Sequence, residues 1–211
     1  MKVENVIFDF DGTIVDSYPG IVNAFNSAYK KVYGVENMVD IKPHIGPPLG
    51  EILISVNRET SKEKVDQFIS FFKEQYDSED FKLSVLYEGI VMLLQELHKK
   101  RIKIFIATNK RENPTRLIAD FLLVNNYFCG FYCSDLQNKH YVSKVEMVAD
   151  LIKSENLNPE TTVLIGDASH DEEAAKQNGI TFIYAAYGFG NLQEVERTIS
   201  TPMEALNFIK I

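Results

Sequence analysis

Short apolar runs alternate along the chain with stretches of helical periodicity, and this alternation restricts the possible folds more than any other feature. The runs at residues 6–8, 104–106 and 163–165 are apolar at every position, which is typical of strands buried on both faces of a parallel sheet. Residues 131–133 and 182–184 are weaker runs of the same kind. Because helical stretches separate these runs, the pattern predicts an α/β fold with a doubly wound parallel sheet.

Two of the helical stretches follow the spacing i, i+3, i+4, i+7, which is typical of a helix with one buried face. The apolar positions of the first are Ile90, Leu93, Leu94 and Leu97. Those of the second are Val145, Val148, Ala149 and Ile152.

Residues 17–85 interrupt the alternation, because they contain no clear strand. The sequence predicts one helix over residues 21–33 and another that begins after the capping pattern of Thr60 and Glu63. The apolar positions of this second helix are Val65, Phe68, Ile69 and Phe72. We therefore expect a core formed by residues 1–16 and 86–211, with an all-helical insert at residues 17–85.

Composition and charge exclude several classes of partner. The formal net charge is −8 and no run of lysine or arginine occurs, so a basic surface for nucleic acid is not expected. No apolar run reaches the roughly 18 residues needed to span a bilayer, and the first residues do not resemble a signal peptide. We expect a cytoplasmic protein that binds neither nucleic acid nor membrane.

Two carboxylates, Asp9 and Asp11, follow the first predicted strand, and Gly12 and Thr13 come next. Ligands of open parallel sheets bind beyond the carboxyl ends of the strands, and Gly12 permits the close turn that directs both carboxylates there. A carboxylate nucleophile can divide the difficult hydrolysis of a phosphate monoester into two displacements. Asp and Gly are also common in turns, so this segment alone is consistent with a simple turn as well.

Two further segments contain groups that can hold phosphate. Thr108 and Asn109 end the second strong strand and could hold phosphoryl oxygens, although such a pair is common in turns. Lys144 lies in the first turn of a predicted helix, after the capping residue Ser143. A cation there opposes the helix dipole, which indicates an anionic partner unless the lysine is simply solvated.

A second pair of carboxylates, Asp167 and Asp171, follows the strand at residues 163–165. Carboxylate oxygens are ligands that suit Mg²⁺. Asp171 could alternatively stabilise a helix N-terminus. Since all four segments follow predicted strands or open the helices after them, the sequence indicates that they converge on one phosphate site.

These segments together resemble the four motifs of haloacid dehalogenase-like phosphatases. The matching residues are Asp9, Asp11, Gly12, Thr13, Thr108, Asn109, Lys144, Gly166, Asp167 and Asp171. The helical insert resembles the C1-type cap of that superfamily. The phosphoglycolate-phosphatase-like branch is indicated by Asp16-Ser17, by residues 45–49 and by residues 187–190.

The resemblance implies a phosphatase that works through an aspartyl-phosphate. It implies that Asp9 is the nucleophile and that Asp11 is the general acid and base. Thr108, with Asn109, is expected to bind the phosphoryl group, and the turn of Gly12 and Thr13 is expected to contact it as well.

The resemblance also implies Mg²⁺ as cofactor, held by the Asp9 carboxylate, the Asp11 carbonyl oxygen and Asp167. Lys144 is expected to bind the phosphoryl group, and Asp171 to act from the outer side of the site on Lys144 or on metal-bound water. Many relatives carry Lys-Pro at the position of Lys144 and Val145, so Lys139 competes with Lys144 for this role.

The substrate is expected to be a small phosphate monoester, and several alternatives remain open. A 5'-nucleotidase, a pyrophosphatase or a sugar phosphomutase would use the same residues. A dehalogenase is disfavoured because Asp11 would serve no purpose there. An aspartyl-phosphate regulatory domain or a binder without turnover is the alternative from another class. The sequence does not distinguish a monomer from a homodimer.

Overall fold

A computed structural model describes residues 2–35, 38–41, 49–136 and 141–209 of the chain. The part of residues 45–49 that precedes Leu49 lies outside the described residues, and so does Lys139. None of the described helices is long and apolar enough to cross a membrane.

A six-stranded sheet forms the centre of the larger part of the chain. Its strands are β1 (Asn5–Phe8), β4 (Lys103–Thr108), β5 (Gly130–Cys133), β6 (Thr162–Gly166), β7 (Thr181–Ala185) and β8 (Thr198–Ile199). Their order across the sheet is β5-β4-β1-β6-β7-β8, and each neighbouring pair is parallel. Two short strands, β2 (Val15–Asp16) and β3 (Val85–Leu86), form a separate pair.

Seven α-helices occur within the described ranges. They are α1 (Tyr18–Tyr33), α2 (Leu49–Val56), α3 (Lys62–Ser78), α4 (Ile90–Lys99), α5 (Glu112–Phe121), α6 (Lys144–Ser154) and α7 (Ser169–Gln177). Short 3-10 helices lie at Asp80–Leu83, Asn125–Tyr127, Pro159–Thr161 and Pro202–Asn207. This order of strands and helices confirms the predicted α/β fold with a doubly wound parallel sheet.

The strand order follows from which residues can be buried on both faces. Every residue of β1 and of β6 is buried, so these strands take central positions, where helices cover both faces of a sheet. From β1 the sheet extends through β4 to β5 on one side and through β6, β7 and β8 on the other. The strand order therefore has its switch point next to β1. Ligands of open parallel sheets bind beyond the carboxyl ends of the strands at such a point.

The chain divides into two compact units, Met1–Asp16 with Leu86–Ile211, and Ser17–Val85. The second unit contains α1, α2 and α3. Its interior contains several packed aromatic rings. Phe25 packs edge-on against Phe68 with ring centroids 4.8 Å apart. Phe72 stacks on Tyr76 at 5.3 Å. These rings contribute large apolar areas to a small helical unit.

Two predictions about helices need correction. The cap of α3 is Ser61, whose Oγ accepts a hydrogen bond from the Lys64 amide at 3.3 Å, so the predicted cap Thr60 is wrong by one residue. The predicted apolar face of α6 is also shifted by one position, since Ala149 is exposed. The fully buried residues of α6 are Lys144, Met147, Val148 and Leu151.

The shift in α6 has a physical cause. Lys144 occupies the first position of the buried face, where an apolar residue would be expected. A lysine is almost never fully buried unless it is paired with an opposite charge. Its carboxylate partners are described below, and they explain why the face begins one residue before Val145.

Candidate active site

The ends of β1, β4 and β6 bring three polar side chains to one edge of the sheet. Residue Phe8 is in register with Ile106 of β4 and with Ile165 of β6. Asp9 follows β1, Thr108 ends β4, and Asp167 follows β6. All three are buried, with 5%, 2% and 3% of their surfaces exposed. The edge predicted from the sequence is therefore the place where these residues meet.

Asp9 and Asp11 stand at the beginning of a tight loop that follows β1. The amide of Val15 donates to the Phe10 carbonyl at 3.0 Å, and the Gly12 amide donates to the Val15 carbonyl at 2.8 Å. Gly12 has a φ angle of +82°, and an added Cβ would collide with the Asp167 carboxylate. Only glycine combines this left-handed conformation with so close an approach. Gly12 therefore allows the loop to pass directly against the Asp167 carboxylate.

Lys144 lies between two carboxylates. Its Nζ is 2.5 Å from Oδ1 of Asp9 and 2.5 Å from Oδ1 of Asp171. The side chain of Lys144 is 1% exposed, and that of Asp171 is fully buried. Oδ2 of Asp171 accepts a hydrogen bond from the Ala168 amide at 3.0 Å. The site therefore contains a buried cation that both carboxylates hold in place.

Burial and like charges shift the ionisation of these groups. Burial raises the pKa of Asp9, and Asp171 and Asp167 add to that effect while Lys144 opposes it. Burial also raises the pKa of Asp167, to about 6, and Asp171 contributes in the same direction. Burial alone would lower the pKa of Lys144, but Asp171 and Asp9 outweigh it and raise that pKa. The negative charge of the three carboxylates therefore exceeds the positive charge of Lys144, and this excess favours the binding of a further cation.

Three of the carboxylates meet the requirements of a metal site. Asp9, Asp167 and Asp171 are buried, and each offers an oxygen within 4.8 Å of those of the others. A hard divalent cation such as Mg²⁺ prefers oxygen ligands of this kind. Asp9 and Asp167 directly follow the neighbouring strands β1 and β6, whereas Asp171 lies in α7, so Asp9 and Asp167 are the two carboxylates that the edge of the sheet presents to a ligand.

A loop near the C-terminal end of the core holds one oxygen of Asp167. Oδ2 of Asp167 accepts hydrogen bonds from the amides of Phe189, at 2.7 Å, and Gly190, at 3.1 Å. An added Cβ at Gly188 would collide with the Gly12 carbonyl oxygen, and one at Gly190 with that of Asp167. The two glycines therefore permit backbone atoms to approach the carboxylate directly. Residues 187–190 are apparent in the sequence as a family feature, but this contact between backbone amides and a distant carboxylate is not.

Thr13 is fully buried, and its hydroxyl donates to Oδ1 of Asp167 at 3.4 Å. Its carbonyl oxygen accepts a hydrogen bond from the Tyr187 hydroxyl at 3.0 Å. The amide of Gly12 is also engaged within the loop. The Gly12 amide and the hydroxyl and carbonyl oxygen of Thr13 thus have partners within the protein, and contact of Gly12 and Thr13 with phosphate stays a prediction. Asn109 is half-buried beside Thr108.

Lys110 is a further residue of the site, and it was not predicted from the sequence. Its Nζ lies 3.2 Å from Oδ1 and 3.0 Å from Oδ2 of Asp11. The two side chains are 9% and 20% exposed, so the pair is largely shielded from water. Lys110 directly follows Thr108 and Asn109, two residues after the end of β4, and a single lysine there has no local pattern that marks it as paired. Each of the first two aspartates is thus paired with its own lysine.

Comparison with curated proteins shows relatives along most of the chain. The tyrosine-protein kinase PtkA of Mycobacterium tuberculosis is 29% identical over 93% of this chain and 66% of its own length. The chain thus spans just under two thirds of that protein. The phosphoglycolate phosphatase of Aquifex aeolicus is 25% identical over 97% of this chain and 95% of its own. Other relatives are named 5'-nucleotidase and pyrophosphatase.

Comparison with solved structures agrees with the sequence comparison. A haloacid dehalogenase-like hydrolase from Streptococcus pneumoniae superposes with a TM-score of 0.87 and 26% identity, over 98% of both chains. The family model described as haloacid dehalogenase-like hydrolase matches residues 6–185, a range that includes Asp9, Thr108, Lys144 and Asp167. The resemblance to the haloacid dehalogenase-like superfamily that the sequence motifs indicated is confirmed. This chain belongs to the haloacid dehalogenase-like hydrolase family.

Proposed function

We propose that this hydrolase is a Mg²⁺-dependent phosphatase that cleaves a small phosphate monoester through an aspartyl-phosphate on Asp9. The observation that carries the proposal is the arrangement around Asp9. A buried carboxylate at a strand end lies 2.5 Å from the Lys144 ammonium and close to Asp167. A carboxylate held beside a buried ammonium, with a metal ion bound nearby, could attack an anionic phosphate, because these positive charges offset the repulsion between the two anions.

In the proposed first step, an Asp9 carboxylate oxygen bonds to phosphorus while the bond from phosphorus to the leaving oxygen breaks. Asp11 gives its proton to the leaving oxygen. In the second step, Asp11 accepts a proton from water, and the water oxygen bonds to phosphorus. The bond between Asp9 and phosphorus then breaks, which releases inorganic phosphate and restores both carboxyl groups.

Three side chains hold the phosphoryl oxygens in this proposal. Thr108 and Asn109 stand at the end of β4, and Lys144 reaches the site from the start of α6. An ammonium group has three N–H bonds, so Lys144 can hold Asp9 and Asp171 and still donate to a phosphoryl oxygen. This agrees with the role inferred for Lys144 from the sequence.

The carboxylates of Asp9 and Asp167, with the carbonyl oxygen of Asp11, would hold Mg²⁺. When bound, the ion supplies positive charge that neutralises the phosphate and the crowded carboxylates. Asp171 acts from outside this set by fixing Lys144, to which it is paired. The amides of Phe189 and Gly190 keep one oxygen of Asp167 oriented, as partners behind metal ligands commonly do.

The helical unit Ser17–Val85 is proposed to serve as the cap that selects the substrate. Phosphoglycolate is the first candidate, because the branch resemblance points to it. A nucleoside monophosphate, pyrophosphate and a sugar phosphate remain alternatives, as does transfer to an acceptor hydroxyl in a phosphomutase. All of these would begin with the same attack by Asp9.

The experiment that tests the proposal measures phosphate release. Purified protein is incubated with p-nitrophenyl phosphate and Mg²⁺, without any acceptor alcohol, and then with a panel of phosphate esters that includes phosphoglycolate. We expect turnover that EDTA abolishes, together with an acid-stable phosphoenzyme when the reaction is quenched. Absence of hydrolysis with every ester would instead indicate a regulatory binder or a transferase that requires an acceptor.

Replacing Asp167 by Asn is expected to weaken Mg²⁺ binding by about tenfold or more, in line with the losses typical of perturbed metal sites. The amide oxygen of Asn can still accept hydrogen bonds from Phe189 and Gly190, so the loop should keep its conformation. Calorimetric titration with Mg²⁺ measures the loss directly, and the Mg²⁺ concentration for half-maximal activity should rise in parallel.

Asp120→Asn provides the matched control, because Asp120 is an exposed carboxylate on α5. Its Mg²⁺ affinity should equal that of the unmodified protein. An unchanged affinity in Asp167→Asn would place the metal away from Asp167 and contradict the proposed set of ligands.

A further inference from the structure

Lys110 has no role in the mechanism given above, although it forms the only side-chain ion pair of Asp11 among the residues that the structure describes. Its ammonium contacts both carboxylate oxygens of Asp11, at 3.2 Å and 3.0 Å. A cation that reaches both oxygens restricts rotation of the carboxylate about its terminal bond. The orientation of Asp11 is therefore coupled to Lys110.

The backbone at Lys110 is itself fixed on two sides. Its amide donates to Oγ1 of Thr108 at 3.1 Å, and its carbonyl oxygen accepts a hydrogen bond from the Ser134 amide at 3.1 Å. The first contact ties Lys110 to the end of β4, and the second ties it to the residue after β5. The lysine side chain thus starts from a defined point at the edge of the sheet.

The two lysines of the site divide the carboxylates between them. Lys144 pairs with Asp9 and Asp171, and Lys110 pairs with Asp11. The Lys144 pairs are almost completely buried, whereas Asp11 keeps 20% of its side chain exposed. An exposed carboxylate without a fixed partner would sample several rotamers. Lys110 keeps Asp11 at one position while leaving part of it accessible to a substrate or water.

We propose that Lys110 is a positioning residue that holds the Asp11 carboxylate where it transfers protons to the leaving oxygen and from water. The inference rests on the proposed function of Asp11 as general acid and base. Lys110 itself would act through Asp11 and would not touch the substrate. Its contribution is orientation, and small errors in the position of a catalytic group can lower rates by about 100-fold.

The test compares two esters of similar size that differ in their need for an acid. Phenolate is a much stronger base than p-nitrophenolate, so phenyl phosphate depends more on protonation of the leaving oxygen than p-nitrophenyl phosphate does. Release of the leaving group is followed in single turnovers with excess enzyme. This isolates the first chemical step from hydrolysis of the phosphoenzyme.

Asp11→Asn is expected to slow the release of phenol from phenyl phosphate by about 10²–10⁴-fold, the usual contribution of a general acid. Lys110→Met should slow the same ester by roughly 10–100-fold through misplacement of Asp11. The loss with p-nitrophenyl phosphate should be clearly smaller for both variants. In protein that already carries Asp11→Asn, adding Lys110→Met should change the rate less than about twofold, because coupled residues are not additive.

Lys103→Met is the matched control, since Lys103 is an exposed lysine at the start of β4, the strand that precedes Lys110. Its rates with both esters should equal those of the unmodified enzyme. Thermal unfolding of each variant establishes that it is folded, and Lys110→Gln replaces Lys110→Met if the latter is not. Gln also lacks the charge, so the same pattern of rates is expected.

Two results would overturn the inference. One is an equal loss on both esters in Lys110→Met. The other is a loss that multiplies in full with that of Asp11→Asn. Either would mean that Lys110 acts independently of Asp11, for example on the phosphate charge. If Asp11→Asn itself slowed both esters equally, the proposed acid function of Asp11 would fail, which is a separate outcome.

Discussion

Replacing Asp9 by Asn is expected to abolish turnover on every phosphate ester and to prevent formation of an acid-stable phosphoenzyme. The amide is nearly the same size as the carboxylate but is not a nucleophile. Phosphate release and acid-quenched phosphoenzyme are the two measurements.

The same substitution should leave the fold at least as stable in the absence of metal. Burial, Asp171 and Asp167 raise the pKa of Asp9, which means that its charged form is disfavoured in the folded protein. A neutral amide removes that unfavourable charge. Thermal unfolding in EDTA should therefore give a melting temperature equal to or above that of the unmodified protein.

The exposed variant Asp120→Asn should retain full activity and an unchanged melting temperature. Asp9→Asn protein that kept even a few per cent of the activity, after separation from any contaminating phosphatase, would remove Asp9 from the nucleophilic role. An inactive variant that was also unfolded would leave the role to be decided by trapping the phosphoenzyme on the unmodified protein and identifying the labelled residue.

Replacing Lys144 by Met is expected to lower both activity and stability. Removing one partner of a buried ion pair costs about 3–5 kcal/mol of unfolding free energy, because the remaining charge is left uncompensated. Here two carboxylates, Asp9 and Asp171, lose their common cation. The rate should fall by about 10²–10³-fold from loss of a donor to the phosphoryl oxygens.

A double substitution separates these two effects. In Lys144→Met combined with Asp171→Asn, one of the uncompensated carboxylates is gone, so much of the lost stability should return. The activity should not return, because no cation replaces the ammonium. Denaturant unfolding in EDTA and the rate with p-nitrophenyl phosphate measure the two quantities.

Lys153→Met serves as control, because Lys153 is an exposed lysine in the last turn of the same helix. It should change neither quantity beyond a few tenths of a kcal/mol, as is usual for surface positions. If Lys144→Met were as stable as Lys153→Met, the buried pairing of Lys144 would not contribute to the fold. If both were equally active, Lys144 would have no part in catalysis.

The strands and the aspartates could be predicted because their signals are local. Fully apolar runs marked β1, β4 and β6. The acidic residues directly after β1 and β6 could be placed together because the carboxyl ends of parallel strands lie at the same edge of a sheet. Lys144 was identified from its cap and its unfavourable position at the start of a helix. Lys144 also belongs to the buried face of α6 together with Met147, Val148 and Leu151, and this spacing is a further signal of a buried, paired lysine.

The remaining features depend on contacts between distant residues. Lys110 and Asp11 are 99 positions apart, and a single lysine after a strand has no local pattern that distinguishes a buried pair from a solvated side chain. The amides of Phe189 and Gly190 are backbone groups, which the sequence does not display at all. The strand β8 has only two residues, too few to show a period. Tertiary geometry supplied each of these.

The position of β1 in the sheet has a consequence for the order of events during synthesis. β1 is made first, yet it lies between β4 and β6, and Asn5 pairs with Thr162 across 157 positions. At about 5–20 residues per second, roughly 8–30 s pass on the ribosome before that partner exists. During this time an apolar strand has no permanent neighbour on one side. Nascent chains that end before β6 should therefore be protease-sensitive at β1 and need chaperone protection, and Asp9 and Asp167 should be brought together only after β6 has been synthesised.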